Sequence, residues 1–164
     1  MFSQNPINVA LIKTKNRIIK SKIPAPGTKK ILSSLKKNEV RSMHGQLPII
    51  WKKAEGFNVY DISNNKYIDF TSTIFVSNIG HSNNYLKNQI IRTLKSNLIS
   101  TYAYAHKNRE KYIRELVKFC GTNFEKAFLL SSGSEATEAC LKIMRMHGIK
   151  NKKKPGILTI SGNW

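Results

Sequence analysis

Ala127-Phe128-Leu129-Leu130-Ser131-Ser132-Gly133-Ser134-Glu135-Ala136-Thr137-Glu138-Ala139-Cys140-Leu141-Lys142-Ile143-Met144-Arg145 is the stretch that decides the fold class. Residues 127–130 form a short apolar run of the kind a buried strand takes. From Ala136 onward the period changes: Ala139, Cys140, Ile143 and Met144 recur at helical spacing and share one face. Ser131 to Glu135 therefore lie where a strand feeds a helix. A helix N-terminus carries unpaired N–H groups and a partial positive charge. Gly133 would let an anion come close to the backbone, and the neighbouring serines add donors, which is how phosphate is commonly held. Ser132 and Glu135 also fit a capping box, in which each side chain satisfies the other's backbone N–H. Both readings use Ser132, and the residues alone leave them open.

Gly156-Ile157-Leu158-Thr159-Ile160 reads as another strand, and Gly148 as a helix end. Upstream, helices are expected from Thr28 as a cap to about Val40, from Asn83 or Asn84 through Leu94, and around Tyr112 to Cys120. Two β-rich runs, Phe57 to Asp61 and Lys66 to Phe70, flank Ile62-Ser63-Asn64-Asn65, a hairpin whose Asn residues tolerate positive φ. Thr71 to Ile79 is apolar and β-branched, then breaks at Gly80-His81. Strand and helix alternate in the second half, which argues for an α/β fold with a mostly parallel sheet. The expected organisation is a basic segment over 1–40, a small subdomain with the hairpin over 41–82, and the start of a larger domain over 83–164.

The net charge is +19, with 40% hydrophobic residues. The lysines are scattered among Asn and Ile, and the one cluster, Lys152-Lys153-Lys154, precedes Pro155-Gly156 and reads as a solvated loop. No zinc-finger spacing, RNA-binding signature or basic stripe interleaved with aromatics appears, so no specific nucleic-acid partner is expected. No apolar run reaches the ~18 residues of a membrane span. Cys120 and Cys140 are too few for a disulfide framework, Cys140 is expected as a small core residue, and a cytoplasmic setting fits. The first 22 residues are basic and free of acids, as in an organellar transit peptide, but lack its Ser and Arg enrichment, so a basic leader or first surface helix is expected and a mitochondrial-type transit peptide is the alternative. No Gly-Lys-Ser/Thr follows the Ser-rich loop, so it is not a Walker motif, and it lacks the dinucleotide fingerprint.

Residues 128–145 resemble, without a gap, the F-x-N/S-S-G-S/T-E-A stretch of class III pyridoxal-phosphate-dependent aminotransferases (fold type I). Gly56 to Asp61 followed by Lys66 to Phe70 resembles that family's hairpin. Gly80-His81 resembles its G-H turn, and Gly162-Asn163-Trp164 the approach to its aromatic-His-Gly element. The resemblance covers about residues 40–164.

It implies pyridoxal 5'-phosphate as cofactor, its phosphate held by Ser132, Gly133 and Ser134 and its ring stacked on Trp164. It implies that Phe75 and Val76 edge a substrate pocket, although a core strand would explain them equally. It implies a transaminase moving an amino group between an amine or ω-amino acid and a 2-oxo acid, working as a homodimer. Aminomutases, decarboxylases and racemases of the same family are the alternative, and a small basic nucleic-acid-associated protein is the rival from another class. The Schiff-base lysine and the acid that partners the pyridine nitrogen lie, in this family, C-terminal to the aromatic-His-Gly element, so no catalytic residue is expected within residues 1–164 and the chain reads as an N-terminal fragment. His81 is expected as a structural turn residue rather than a base. His44, His106 and His147 share no metal-ligand spacing. The acids Glu135 and Glu138 suit a helix's first turn, and Tyr102 and Tyr104 are expected in packing or an interface.

Overall fold

The computed structural model describes residues 2–101, 103–154 and 156–162, and the chain groups into two units, residues 1–99 and 100–164. The first unit is built on a five-stranded antiparallel sheet in the order β1-β2-β5-β4-β3. Its strands are β1 (Ile12–Lys13), β2 (Ile18–Ile19), β3 (Trp51–Glu55), β4 (Asn58–Asp61) and β5 (Lys66–Ile68). The expected β4–β5 hairpin forms, with Asn64 at φ 58° in its turn. Asp61 Oδ1 accepts from the N–H of Ser63 and of Asn65, both at 2.9 Å, which is the turn chemistry Asp favours.

A buried polar network ties the N-terminal strands to this hairpin. Asn65 is fully buried. Its Oδ1 accepts from the N–H groups of Lys20 and Ser21, and its Nδ2 donates to Ser21 Oγ and Asp61 Oδ2. The Tyr67 hydroxyl donates to the same Asp61 oxygen at 2.9 Å. Burial, and then that hydrogen bond, push the Tyr67 hydroxyl well above its ordinary range. The backbone donors of Lys20 and Ser21 are thus satisfied by a side chain rather than by a regular ladder. Ile19, Ala25 and Val59 form the small apolar core beside this network.

Helix α1 runs Thr28–Asn38. Thr28 was expected as its cap, but Gly27 takes that place at φ 93°, and Thr28 enters the first turn fully buried, its hydroxyl without a hydrogen-bond partner. The cause is the preceding turn: Thr28 N–H bonds Ala25 C=O at 3.1 Å, and glycine supplies the left-handed residue needed to enter the helix. A one-turn 3-10 helix follows at Arg41–Met43.

Thr71 to Ile79 does not form a strand. Ser72–Phe75 (α2) is a single turn wound with the left hand, with φ of 46°, 54°, 58° and 67° at Ser72, Thr73, Ile74 and Phe75. Left-handed backbone costs about 1–2 kcal/mol per non-glycine residue, so this turn must be held by its surroundings. Helix α3 (Asn84–Lys95) starts as expected, its cap Asn83 accepting from Leu86 N–H at 3.1 Å.

The second unit contains α4 (Lys107–Cys120), closed by Gly121 at φ 85°, and α5 (Gly133–Lys150). Gly148 does not end α5. A helical glycine costs only about 1 kcal/mol, and the true end is Asn151, whose N–H and Nδ2 both reach His147 C=O. Residues 127–130 and 157–160, expected as strands, take part in no strand pairing among the described residues. A strand persists only when a neighbour satisfies its N–H and C=O groups. Phe128, Leu130, Ile157 and Leu158 are accordingly exposed. Cys140 is exposed rather than a core residue, as is Cys120, because nothing described covers that face of α5.

Candidate functional site

The loop entering α5 carries both halves of a capping box. Ser132 N–H donates to Glu135 Oε2 at 3.0 Å, and Glu135 N–H donates to Ser132 Oγ at 3.2 Å. A hydroxyl that accepts one hydrogen bond still has a proton to give. Ser132 can therefore cap α5 and donate to an anion at once, so the two readings left open by the sequence are compatible. The first-turn N–H groups of Gly133 and Ser134 face no intrahelical acceptor, as at any helix start. A Cβ built on Gly133 would meet nothing within 4 Å, so the approach to this backbone is open. The donor set is thus three neighbouring groups, the Ser132 hydroxyl and two N–H groups, at the positive end of an 18-residue helix. The Ser134 hydroxyl can add a fourth. The Glu135 carboxylate partly offsets that positive end, being bonded back to Ser132.

A second cluster lies in the first unit, where the loop 70–80 leaves and returns to the sheet. His81 Nε2 lies 2.7 Å from Asp69 Oδ2, with both side chains nearly buried, at 11% and 4% exposure. Asp69 Oδ1 accepts from Thr71 N–H at 2.8 Å and Thr71 Oγ1 at 2.7 Å. Burial works to raise the Asp69 carboxyl, but the hydrogen bonds from His81 and Thr71 outweigh it and hold it down at about 2. An ionised carboxylate only accepts, so Nε2 carries the proton of this bond. The His81 backbone exchanges two hydrogen bonds with Gly56, at 2.6 and 2.9 Å, and its ring stands edge-on to Trp51 at 5.6 Å. Beneath the loop lies a recess of about 350 Å³ lined by Gly56, Phe57, Asp69, Ser72, Ser77 and His81 among others.

His81 is thus held as a turn residue by its backbone, as expected, but its ring partner Asp69 was not foreseen. A carboxylate in Tyr67-Ile68-Asp69 looks in sequence like an ordinary strand end. The Asp69 carboxyl sits below its unfolded value of about 3.9, so its contribution to stability is present above that value and is lost as pH falls toward 2. In the full-length protein, the stability advantage of wild type over Asp69→Asn should shrink as pH falls from about 4 to 2. Urea midpoints measured across that range check this, and an advantage unchanged at pH 2 would contradict it.

Phe75 and Val76 sit at the end of the left-handed turn, each 76% exposed, so the core-strand account of them is corrected. Ser132, Gly133 and Ser134 belong to the second unit and are described within it. Trp164 lies outside the described residues, as does Tyr102. Tyr104 is exposed. Among the described residues no group of three or more His, Cys, Asp or Glu stands close enough to hold a metal ion, and no helix is long and apolar enough to cross a membrane. Lys152 to Lys154 are exposed in the loop after α5.

Residues 40–164 match the family of class III aminotransferases. The mitochondrial acetylornithine aminotransferase of Candida glabrata is 40% identical over 111 residues, covering 63% of this chain and 26% of the relative. The acetylornithine aminotransferase of Clostridium acetobutylicum is 34% identical over 125 residues, covering 73% of this chain and 32% of the relative. Among solved structures, ornithine aminotransferase from Plasmodium yoelii aligns with a TM-score of 0.66 at 25% identity, covering 77% of this chain and 33% of that one. The chain spans 26% and 32% of the length of the two curated relatives.

Proposed function

The chain belongs to the class III aminotransferases, and we propose that it forms the N-terminal part of a pyridoxal-phosphate-dependent transaminase that moves an amino group between an amine or ω-amino acid and a 2-oxo acid. The observation that carries this reading is the loop entering α5. Its Ser132 hydroxyl accepts from Glu135 N–H and keeps its own proton for an anion, while the backbone at Gly133 is open to close approach. These groups fit a phosphate monoester, which needs several donors converging on a small, doubly charged head. The names of the relatives, aminotransferases of acetylornithine and ornithine, support an ω-amino acid donor.

In this reading Ser132, Gly133 and Ser134 hold the phosphate, and Trp164 stacks on the ring. Pyridoxal phosphate, when bound, supplies an electron sink for bonds broken beside the amino nitrogen. The chain's own share is anchoring. The phosphate is fixed by rigid backbone at a helix start, so the rest of the cofactor pivots from a defined point. Phe75 and Val76 edge the pocket that takes the donor's carbon chain. The intact protein works as a homodimer in the cytoplasm, a setting that suits two free, exposed cysteines. The positive charge is solvated surface: Lys152 to Lys154 share one loop and offer no groove to a nucleic acid.

Purified full-length protein should transfer an amino group from ω-amino acid donors to a 2-oxo acid, and only with pyridoxal phosphate present. Product amino acid formed with and without added cofactor is the measurement. Bound cofactor with no turnover across a donor panel would refute transamination while leaving the anion loop intact.

A further inference from the structure

The loop 70–80 presents an unusual combination: a backbone turn of the costly hand, and apolar side chains turned outward. Phe70, Ile74, Phe75, Val76 and Ile79 are 88%, 80%, 76%, 76% and 64% exposed. Each is more than half exposed, so burial does little to fix the turn. Inside the loop the ties are local: Phe75 N–H to Thr71 C=O and the N–H groups of Val76 and Ser77 to Ser72 C=O, all at 2.9 Å, with Thr73 Oγ1 to Ser77 Oγ at 3.0 Å and Gly80 N–H to Ser77 C=O at 2.9 Å. The ties from the loop to the sheet are at its two ends. Asp69 N–H bonds Phe57 C=O at 2.8 Å, His81 pairs through its backbone with Gly56, and Ser82 Oγ donates to Ala54 C=O at 2.8 Å. Gly80 comes so close to Gly56 that an added Cβ would lie 3.3 Å from its carbonyl oxygen. Among these, the side-chain bond between His81 and Asp69 is the one that joins the loop's start directly to its end, and Asp69 extends it inward by accepting from Thr71, the residue just before the left-handed turn.

We propose that Asp69 and His81 are positioning residues whose contact closes the 70–80 loop and holds Ile74, Phe75 and Val76 as an exposed apolar wall that sets how tightly the intact enzyme takes its amino donor. This rests on the transaminase reading for the role of the wall, and on geometry alone for the clasp. The two carboxylate oxygens divide the work. Oδ2 fixes the returning strand through His81, and Oδ1 fixes the departing one through Thr71. Losing the ring bond leaves the loop's return pinned by the backbone pair with Gly56 and by Ser82, but removes its tie to the loop's start, so the wall between them loses its fixed position while the loop at 131–135 keeps all its own hydrogen bonds.

The test uses the full-length protein with His81→Phe, which keeps an aromatic ring against Trp51 but removes the bond, and His81→Gln, which restores an N–H donor at a similar reach. His81→Phe should raise KM for the amino donor about tenfold or more, change kcat less than threefold, and leave the bound-cofactor absorbance unchanged. His81→Gln should recover most of the KM. Chymotrypsin reads the clasp without any activity: cleavage after Phe70 or Phe75 should be at least several-fold faster in His81→Phe than in wild type. Unchanged KM and unchanged cleavage in His81→Phe would overturn the proposal, as would a uniform loss of thermal stability and cofactor with KM unmoved. A wild-type protein that transfers no amino group defeats the transaminase reading alone, and the cleavage rates then decide the clasp.

Discussion

Gly133→Val in the full-length protein is expected to weaken retention of pyridoxal phosphate by about 10²–10⁴-fold, from the loss of two or more hydrogen bonds to a charged group at about 1.5–3 kcal/mol each. The size of the effect follows from what the substitution does not do. A Cβ at position 133 meets nothing within 4 Å, and Gly133 is not at positive φ, so valine fits the fold and α5 keeps its start. The capping box of Ser132 and Glu135 makes no use of the Gly133 side chain and should survive. The branched side chain instead occupies the space through which the phosphate reaches the N–H groups. Ser134→Ala, which removes one hydroxyl, should cost about 1.5–3 kcal/mol, or roughly 10–150-fold. Equilibrium dialysis of the cofactor, with circular dichroism to verify α5, separates the outcomes. Unchanged affinity in Gly133→Val would leave the loop as a helix cap and nothing more.

The second large effect is an all-or-none one. Residues 1–164 purified by themselves, mixed with pyridoxal phosphate and treated with borohydride, should yield no stoichiometric pyridoxyl adduct at any single lysine. A lysine that serves as a covalent anchor is activated by a desolvated pocket or a neighbouring cation. The lysines here are exposed, and the half-buried exception, Lys66, spends its Nζ on the Lys15 carbonyl at 2.7 Å. None stands in the family's sequence context for that role. Peptide mapping by mass spectrometry is the check. Scattered sub-stoichiometric labelling agrees with exposed amines, whereas complete labelling at one position would reveal a covalent site in this part of the protein.

The contrast between local and distant information runs through the whole chain. The capping box at Ser132 and Glu135, the Asn83 cap, the end of α4 at Cys120 and the Asn64 turn were all legible in sequence, because each is made by residues within four positions of one another. The family resemblance was legible for the same reason, since its strongest stretch is one ungapped run. Thr28 and Gly148 misled because propensity is a weak term: a neighbouring turn at Ala25 moved the cap to Gly27, and one glycine could not stop a helix of 18 residues.

Tertiary structure alone decided the rest. Residues 127–130 and 157–160 have strand-like composition, but pairing depends on partner strands, and composition cannot supply them. Thr71 to Ile79 reads as a strand by its β-branched residues. The return of His81 to Gly56 and Asp69 makes the chain turn back within eleven residues, and the left hand of Ser72–Phe75 accompanies that closure. Asn65 gathers Lys20 and Ser21 from more than 40 positions away. Neither contact has a periodic or motif signature, because its partners are brought together by loop closure and burial. Sequence by itself determined the caps at Asn83 and Ser132 and the hairpin turn, whose chemistry is short-range. The contact of His81 with Asp69 and the docking of residues 18–21 were decided by which distant groups folding leaves without water, and so obliges to find each other.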